Sequence, residues 1–220
     1  MADGTTVLLV ALDTWRINGG DTWVAYDSES ETMRLRDPAK VQQDVAAGVL
    51  EEIEATAILE AVPPYGVGEE VLEHSKDDEQ LDWLRETLAG SDADWKVVFG
   101  HYPVRSATLG EHGDTPSLVE DVLPILQSEG VDIYFAGHDH VLEHISKDGL
   151  HHFGSGSGAK IDTGMDKAYE GLLGFHVGHY GFMRHTGDKT KLKTDFVDDT
   201  GSVVYTYTIE KGDSAATTKH

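Results

Sequence analysis

The sequence predicts an α/β fold in which a parallel strand-helix-strand core is followed by antiparallel strands. Three observations carry this. Two short apolar runs, 95–99 and 131–136, flank a segment whose apolar positions keep helical spacing, an order that implies a right-handed parallel crossover. A third run, Val7-Leu8-Leu9-Val10-Ala11-Leu12, is apolar on both faces, the pattern of a strand covered on both sides. After residue 140, runs at 141–145, 172–182, 192–197 and 203–209 alternate in the manner of antiparallel strands.

Taken in order, the run 7–12 ends at Asp13-Thr14, and the polar stretch 15–37, with its Asn18-Gly19-Gly20-Asp21 turn cluster, reads as loop. Asp37 offers an N-cap with Pro38 at the first helical position, and Val41, Val45, Val49 and Ile53 recur every four residues, so a helix is expected over 38–59. Pro63-Pro64 and Gly66 end it, and residues 15–74 together read as a variable insertion. Ser75 and Asp78 have the spacing of a capping box before a helix with Leu81, Leu84 and Leu88 on one face, closed by Gly90. The strand 95–99 leads into Gly100-His101-Tyr102-Pro103. Thr115-Pro116 opens the next helix, carrying Val119, Val122, Leu123 and Leu126, which Pro124 must shorten or kink before Gly130. The strand 131–136 ends at Gly137-His138-Asp139-His140. Residues 1–211 form one domain portion, and 212–220 read as a frayed tail.

Composition narrows the chemistry. The 220 residues can bury roughly 70% of the surface of the unfolded chain, enough for a compact enzyme. The absence of Cys removes disulfides, Cys-ligated zinc, iron–sulfur clusters and thiol nucleophiles, so a metal would be held by His and oxygen donors. A formal charge of −23 repels nucleic-acid phosphates and acidic lipid, so neither nucleic acid nor a membrane is an expected partner. No window offers the ~18 consecutive apolar residues of a membrane span, and Met1-Ala2-Asp3-Gly4 lacks a basic start before an apolar core.

The informative motifs lie in matching places. Parallel neighbouring strands deliver their C-terminal loops to one sheet edge, where ligands of open α/β sheets sit, and both loops carry Gly followed by His. A lone His at a strand end is usually a bystander; the pairing of His101 with His138 and His140 on a shared edge reverses that. His138 and His140 would point to opposite faces of an extended strand, so joint ligation needs a turn or two ions. The remaining histidines, His74, His144, His151, His152, His176, His179 and His185 among them, read as surface or cross-strand residues. Gly154-Ser155-Gly156-Ser157-Gly158 precedes no helix and therefore fails the context of a nucleotide-binding loop; it reads as a strand exit lining the site.

These residues resemble the calcineurin-like metallophosphoesterases, and within them the small, tartrate-resistant kind of purple acid phosphatase. The similarity runs through Leu12-Asp13-Thr14, Gln80-Leu81-Asp82-Trp83-Leu84, Gly100-His101-Tyr102-Pro103-Val104, Glu111-His112-Gly113, Gly137-His138-Asp139-His140 and the Gly-Ser-Gly-Ser-Gly run. The resemblance implies the fold of a four-layer α/β/β/α sandwich, present here in part, and hydrolysis of phosphate monoesters, hence a small phosphorylated substrate. It implies a binuclear centre of Fe with Zn, Mn or a second Fe, with His101 and His138 on the divalent ion and His140 on the ferric ion. His112 then contacts the substrate phosphate and protonates the leaving group. A secreted, lysosomal or vacuolar setting belongs to the same resemblance.

The family's Asp-x-Gly, Gly-Asp-x-x-Tyr and Gly-Asn-His-Asp/Glu motifs, which precede the strand corresponding to 7–12, are absent, and Asn18 is the only Asn. The chain therefore resembles the C-terminal portion of a phosphatase, expected to hold at most one divalent ion by itself. The missing N-terminal half or self-association is the expected partner. The competing reading is a catalytically impaired fragment that keeps a three-His patch, or an interaction remnant. A phosphodiesterase or nuclease of the same superfamily is opposed by Tyr102-Pro103 and by Glu111-His112-Gly113.

Overall fold

The computed structural model of the chain describes residues 3–17, 24–27, 32–35, 77–109 and 113–211. It divides into one unit of Met1–Asn18 with Asp77–His220 and a second of Gly19–Lys76. In the second unit, strands β2 (Val24–Asp27) and β3 (Thr32–Leu35) form an antiparallel hairpin where the sequence reads as loop. Strands of four residues are too short to establish an alternation. The helix expected over 38–59 lies outside the described residues.

In the first unit a six-stranded sheet has the order β1 (Val7–Ala11), β4 (Trp95–Phe99), β5 (Ile133–Ala136), β7 (Leu150–Ser155), β6 (Leu142–Lys147), β8 (Leu172–His176). The first four run parallel, β6 runs opposite to them, and β8, antiparallel to β6, returns to their direction. A second, antiparallel sheet holds β9 (Gly181–Gly187), β10 (Lys191–Asp198) and β11 (Val203–Glu210). Trp95, Val97, Ile133, Phe153, Leu192, Phe196 and Ile209 fill the space between the sheets. A short helix, α1 (Thr14–Ile17), follows β1, and the opposite face of the larger sheet packs Val10, Val98, Tyr134 and Leu150 against α2 (Asp78–Ala89) and α3 (Leu123–Ser128). Three layers of the expected four are thus present among the described residues.

Several elements differ from the sequence reading for local reasons. Among the described residues β1 is an edge strand that pairs with β4 alone, and it is not covered on both faces: Leu9 is 64% exposed while Val10 is 3% exposed. The N-cap of α2 is Asp77, whose carboxylate accepts from the Gln80 amide at 3.1 Å, in place of Ser75. Pro124 stands in the first turn of a short helix, α3. The preceding turn widens into a π-helical stretch, Leu118–Val122, in which the Leu123 amide reaches back to the Leu118 carbonyl, so the amide that Pro124 lacks falls in the first turn of α3. Both helices end over β4, where the Lys96 ammonium donates to the carbonyls of Leu88 and Glu129 at 2.8 and 2.9 Å, placing a cation at two negative helix ends. The run 172–182 splits, β8 going to one sheet and β9 to the other, with the break at Gly178, whose φ is 75°. Finally, Asp148 and Gly149, both at positive φ, make the two-residue turn of the β6–β7 hairpin.

Candidate metal centre

The site is built where β4 and β5 end. Phe99 lies opposite Phe135 in the parallel register, and the Gly100 amide donates to the Phe135 carbonyl at 3.0 Å. Beyond that point the two loops are stitched together, because the His101 carbonyl accepts from the amides of Gly137 and His138 at 3.0 and 2.9 Å. Thr14 fixes the first loop from the side: its hydroxyl oxygen accepts from the amides of both His101 and Tyr102 at 3.0 Å. A Cβ on Gly100 would stand 2.3 Å from the Thr14 methyl and 2.9 Å from the Tyr134 hydroxyl, so only glycine lets the strand turn there. The Leu12-Asp13-Thr14 element is in turn held by Gln80, whose side-chain oxygen accepts from the Asp13 amide at 2.7 Å. Two motifs distant in sequence thereby meet at the strand ends.

This scaffold brings the rings of His101 and His138 together, with Nε2 of the first 3.0 Å from Nδ1 of the second. Tyr102 packs against both, its ring centroid 5.0 Å from His101 and 4.5 Å from His138. Two imidazole nitrogens that each lie about 2.0–2.1 Å from one zinc ion, at bond angles between square and tetrahedral, are about 2.9–3.4 Å apart. The separation therefore suits two rings sharing an ion as well as two rings sharing a proton, and neutral imidazole nitrogen suits a divalent cation of the Zn or Fe type.

His140 is engaged separately. Its amide donates to the Asp162 carboxylate at 2.7 Å, and its Nδ1 lies 3.3 Å from the same group, while the Asp162 amide donates back to the His140 carbonyl at 3.0 Å. A carboxylate behind an imidazole fixes ring orientation and tautomer, as in carboxylate–histidine–metal arrangements. Asp162 was not a candidate from the sequence, since it lies in a loop with no periodicity and no motif. Among the described residues no group of three or more His, Asp or Glu side chains forms a closed metal cluster. The structure thus pairs His101 with His138 and assigns His140 to Asp162. His112 lies outside the described residues.

The Gly-Ser-Gly-Ser-Gly run leaves β7 against this turn. A Cβ on Gly156 would lie 2.1 Å from the Asp139 carbonyl oxygen and 2.3 Å from that of Gly137, and the Gly156 amide donates to the Val141 carbonyl at 3.1 Å. The run works by close backbone approach, with no helix to present amides to a phosphate. Gly156→Ala is expected to displace the His138–His140 turn and to destabilise the protein by about 1–3 kcal/mol, the range of overpacked sites. Denaturant unfolding of the purified variant checks it.

Of the histidines read as surface or cross-strand residues, three are buried. His144, His151 and His152 are 0, 5 and 2% exposed, and Nε2 of His144 is 2.9 Å from Nδ1 of His151. Loss of solvation drives the pKa of His144 far down, with the neighbouring His151 adding to the effect, and holds His152 at about 4. These rings belong to the core and not to the strand-end site.

A model of the calcineurin-like phosphoesterase family matches residues 16–142. Purple acid phosphatase 17 of Arabidopsis thaliana is 36% identical over 133 residues, covering 58% of this chain and 39% of that protein. Tartrate-resistant acid phosphatase type 5 of Homo sapiens is 40% identical over 103 residues, covering 45% of this chain and 31% of that one. The chain therefore spans less than half the length of these curated relatives. Among solved structures, a purple acid phosphatase, PPD1, from yellow lupin seeds superposes with a TM-score of 0.55 at 20% identity, covering 63% of this chain and 29% of that one. GAP50, described as the anchor in the inner membrane complex of Plasmodium, superposes with a TM-score of 0.57 at 25% identity, covering 66% and 46%. No helix among the described residues is long and apolar enough to cross a membrane.

Proposed function

Because the chain belongs to the calcineurin-like phosphoesterase family, we propose that it supplies the divalent-ion side of a phosphatase centre acting on phosphate monoesters. The observation that carries this is the 3.0 Å approach of His101 to His138 at the shared edge of β4 and β5. In this reading His101 and His138 hold a divalent ion, His140 with Asp162 behind it faces a second, ferric ion, and His112 serves the leaving group. The hard ferric site also calls for carboxylate and phenolate donors, which the recognised motifs of this chain do not provide. Bound cations of this kind acidify a water molecule and clamp the phosphoryl oxygens of an in-line displacement.

The protein's own part is placement. Thr14 and the two amide bonds to the His101 carbonyl fix the first loop against the second. Asp162 keeps the His140 ring turned in one direction, and the Tyr102 ring packs against both members of the His pair. The −23 charge opposes an anionic substrate at long range, so capture depends on bound cations and falls off with distance over the ~8 Å screening length of physiological salt.

The purified chain is tested with an aryl phosphate monoester and the corresponding diester, with Zn²⁺ and Fe supplied or with a chelator. The proposal expects metal-dependent hydrolysis that favours the monoester, slow because one ion without its partner loses half of the clamp. Diester preference would favour a phosphodiesterase, and turnover indifferent to the chelator would exclude the metal reading.

A further inference from the structure

A second set of buried polar side chains lies directly behind the His138–His140 turn. Asp139, between the two histidines, is 2% exposed, and its carboxylate accepts from the Ser106 hydroxyl and from the Gly113 amide, the latter at 3.2 Å. One carboxylate therefore holds residues on both sides of the 106–113 segment. Next along that segment, the Ala107 amide donates at 3.0 Å to Glu143 on β6, a carboxyl that is 1% exposed. Glu143 faces Gly154 across the hairpin, where a Cβ would come within 2.9 Å of its Cγ and 3.0 Å of its Oε1. Gly154 thus makes the room that this carboxyl occupies.

From this connected set we infer that Glu143 is a positioning residue, which seats the 106–109 segment so that Ser106 and Gly113 hold Asp139, and with it the turn carrying His138 and His140. The inference rests on the metal reading only for what that turn does; the seating of the segment stands by itself. Burial pushes the Glu143 carboxyl up to about 7, with the nearby charges of Asp139 and Asp114 in the same direction and hydrogen bonds from the Ala107 amide and the Ser106 side chain opposing them. Near neutrality the group is to a large extent an uncharged acid, so glutamine matches it in shape, charge and acceptor. Arg105 and Tyr169 complete the frame: the Arg105 guanidinium bonds Asp114 at 2.6 Å and Asp148 at 2.7 Å, and the Tyr169 hydroxyl donates to Asp114 at 2.6 Å.

The test compares Glu143→Gln, Glu143→Leu and Ser106→Ala, with Ile145→Val on the same face of β6 as a packing control, in amide exchange and in Zn²⁺ calorimetry. Glu143→Leu keeps the volume and removes the acceptor. It is expected to speed exchange at Ala107 and Gly113 at least tenfold and to weaken Zn²⁺ binding about tenfold, the lower end of losses behind metal ligands. Ser106→Ala should reproduce the Gly113 and Zn²⁺ effects with Glu143 intact. Glu143→Gln should restore both readouts, and Ile145→Val should move neither. Wild-type exchange at Gly113 in Glu143→Leu, or failure of glutamine to rescue, would overturn the inference. If the wild-type chain takes no Zn²⁺, the metal reading fails by itself and the exchange pattern still decides the role of Glu143.

Discussion

Acidification below about pH 6.5 is expected to destabilise this protein steeply. In the folded state, His144, His152 and His185 are held neutral by loss of solvation, His152 and His185 with pKa values of about 4 against an ordinary 6.5. Below pH 6.5 the unfolded chain therefore binds three protons that the folded chain refuses until about pH 4 or lower, and stability falls with pH across that window. Glu143 works in the other direction. Its folded pKa of about 7 exceeds the ordinary 4.5, so the folded state holds one proton more between those values. The net difference near pH 5 is about two protons, or about 2.7 kcal/mol per pH unit at 1.36 kcal/mol per proton. The loss over the two units below pH 6.5 comes to about 5 kcal/mol, the whole stability of a domain at the lower end of the usual 5–15 kcal/mol and a third of it at the upper end. Urea unfolding at half-unit steps from pH 4.5 to 7.5 gives the slope directly. His152→Leu should lower it by about one proton, and Glu143→Gln should raise it by about one. A flat or inverted profile would mean that these rings are solvated in the folded state.

The second large effect concerns turnover. Removing either member of the His pair should lower kcat for an aryl phosphate by about 10²–10³, the value of one preorganised electrostatic contact at a developing charge. KM should change less, since the lost ion acts mainly where charge develops. The two substitutions should not add. His101 and His138 serve one ion in this reading, so His101→Ala with His138→Ala should be no slower than either single variant. Additive losses would mean that the rings act independently of one another.

The strand-end histidines were legible because their placement depends on local signals. A strand, a helix and a strand in succession fix direction, and a Gly-His pair after each strand marks the edge. The stitching that gives the site its geometry was not legible. Thr14 reaches the His101 and Tyr102 amides across more than 80 residues, and Asp162 meets His140 from a loop 22 residues further on, contacts that only the folded chain makes. The run 7–12 shows a different limit. Its apolar pattern reports what could be covered, and which neighbours cover it is decided by sheet order, where β1 is an edge. The β6–β7 hairpin and the bounds of strand β7 went unread, although Asp148-Gly149 marks the turn locally, with β6 ending at Lys147 and β7 beginning at Leu150. The buried His144, His151 and His152 could not be told from surface histidines by spacing, because they alternate on short strands whose two faces are both covered.

If His101 and His138 form one divalent-ion site, Zn²⁺ calorimetry on the purified chain near neutral pH will find one Zn²⁺ per chain, with His101→Ala and His138→Ala each weakening binding at least tenfold, on the scale that even the groups behind metal ligands reach. An isotherm identical in the wild-type chain and both variants would contradict it and leave the 3.0 Å contact as a hydrogen bond between two bystanders.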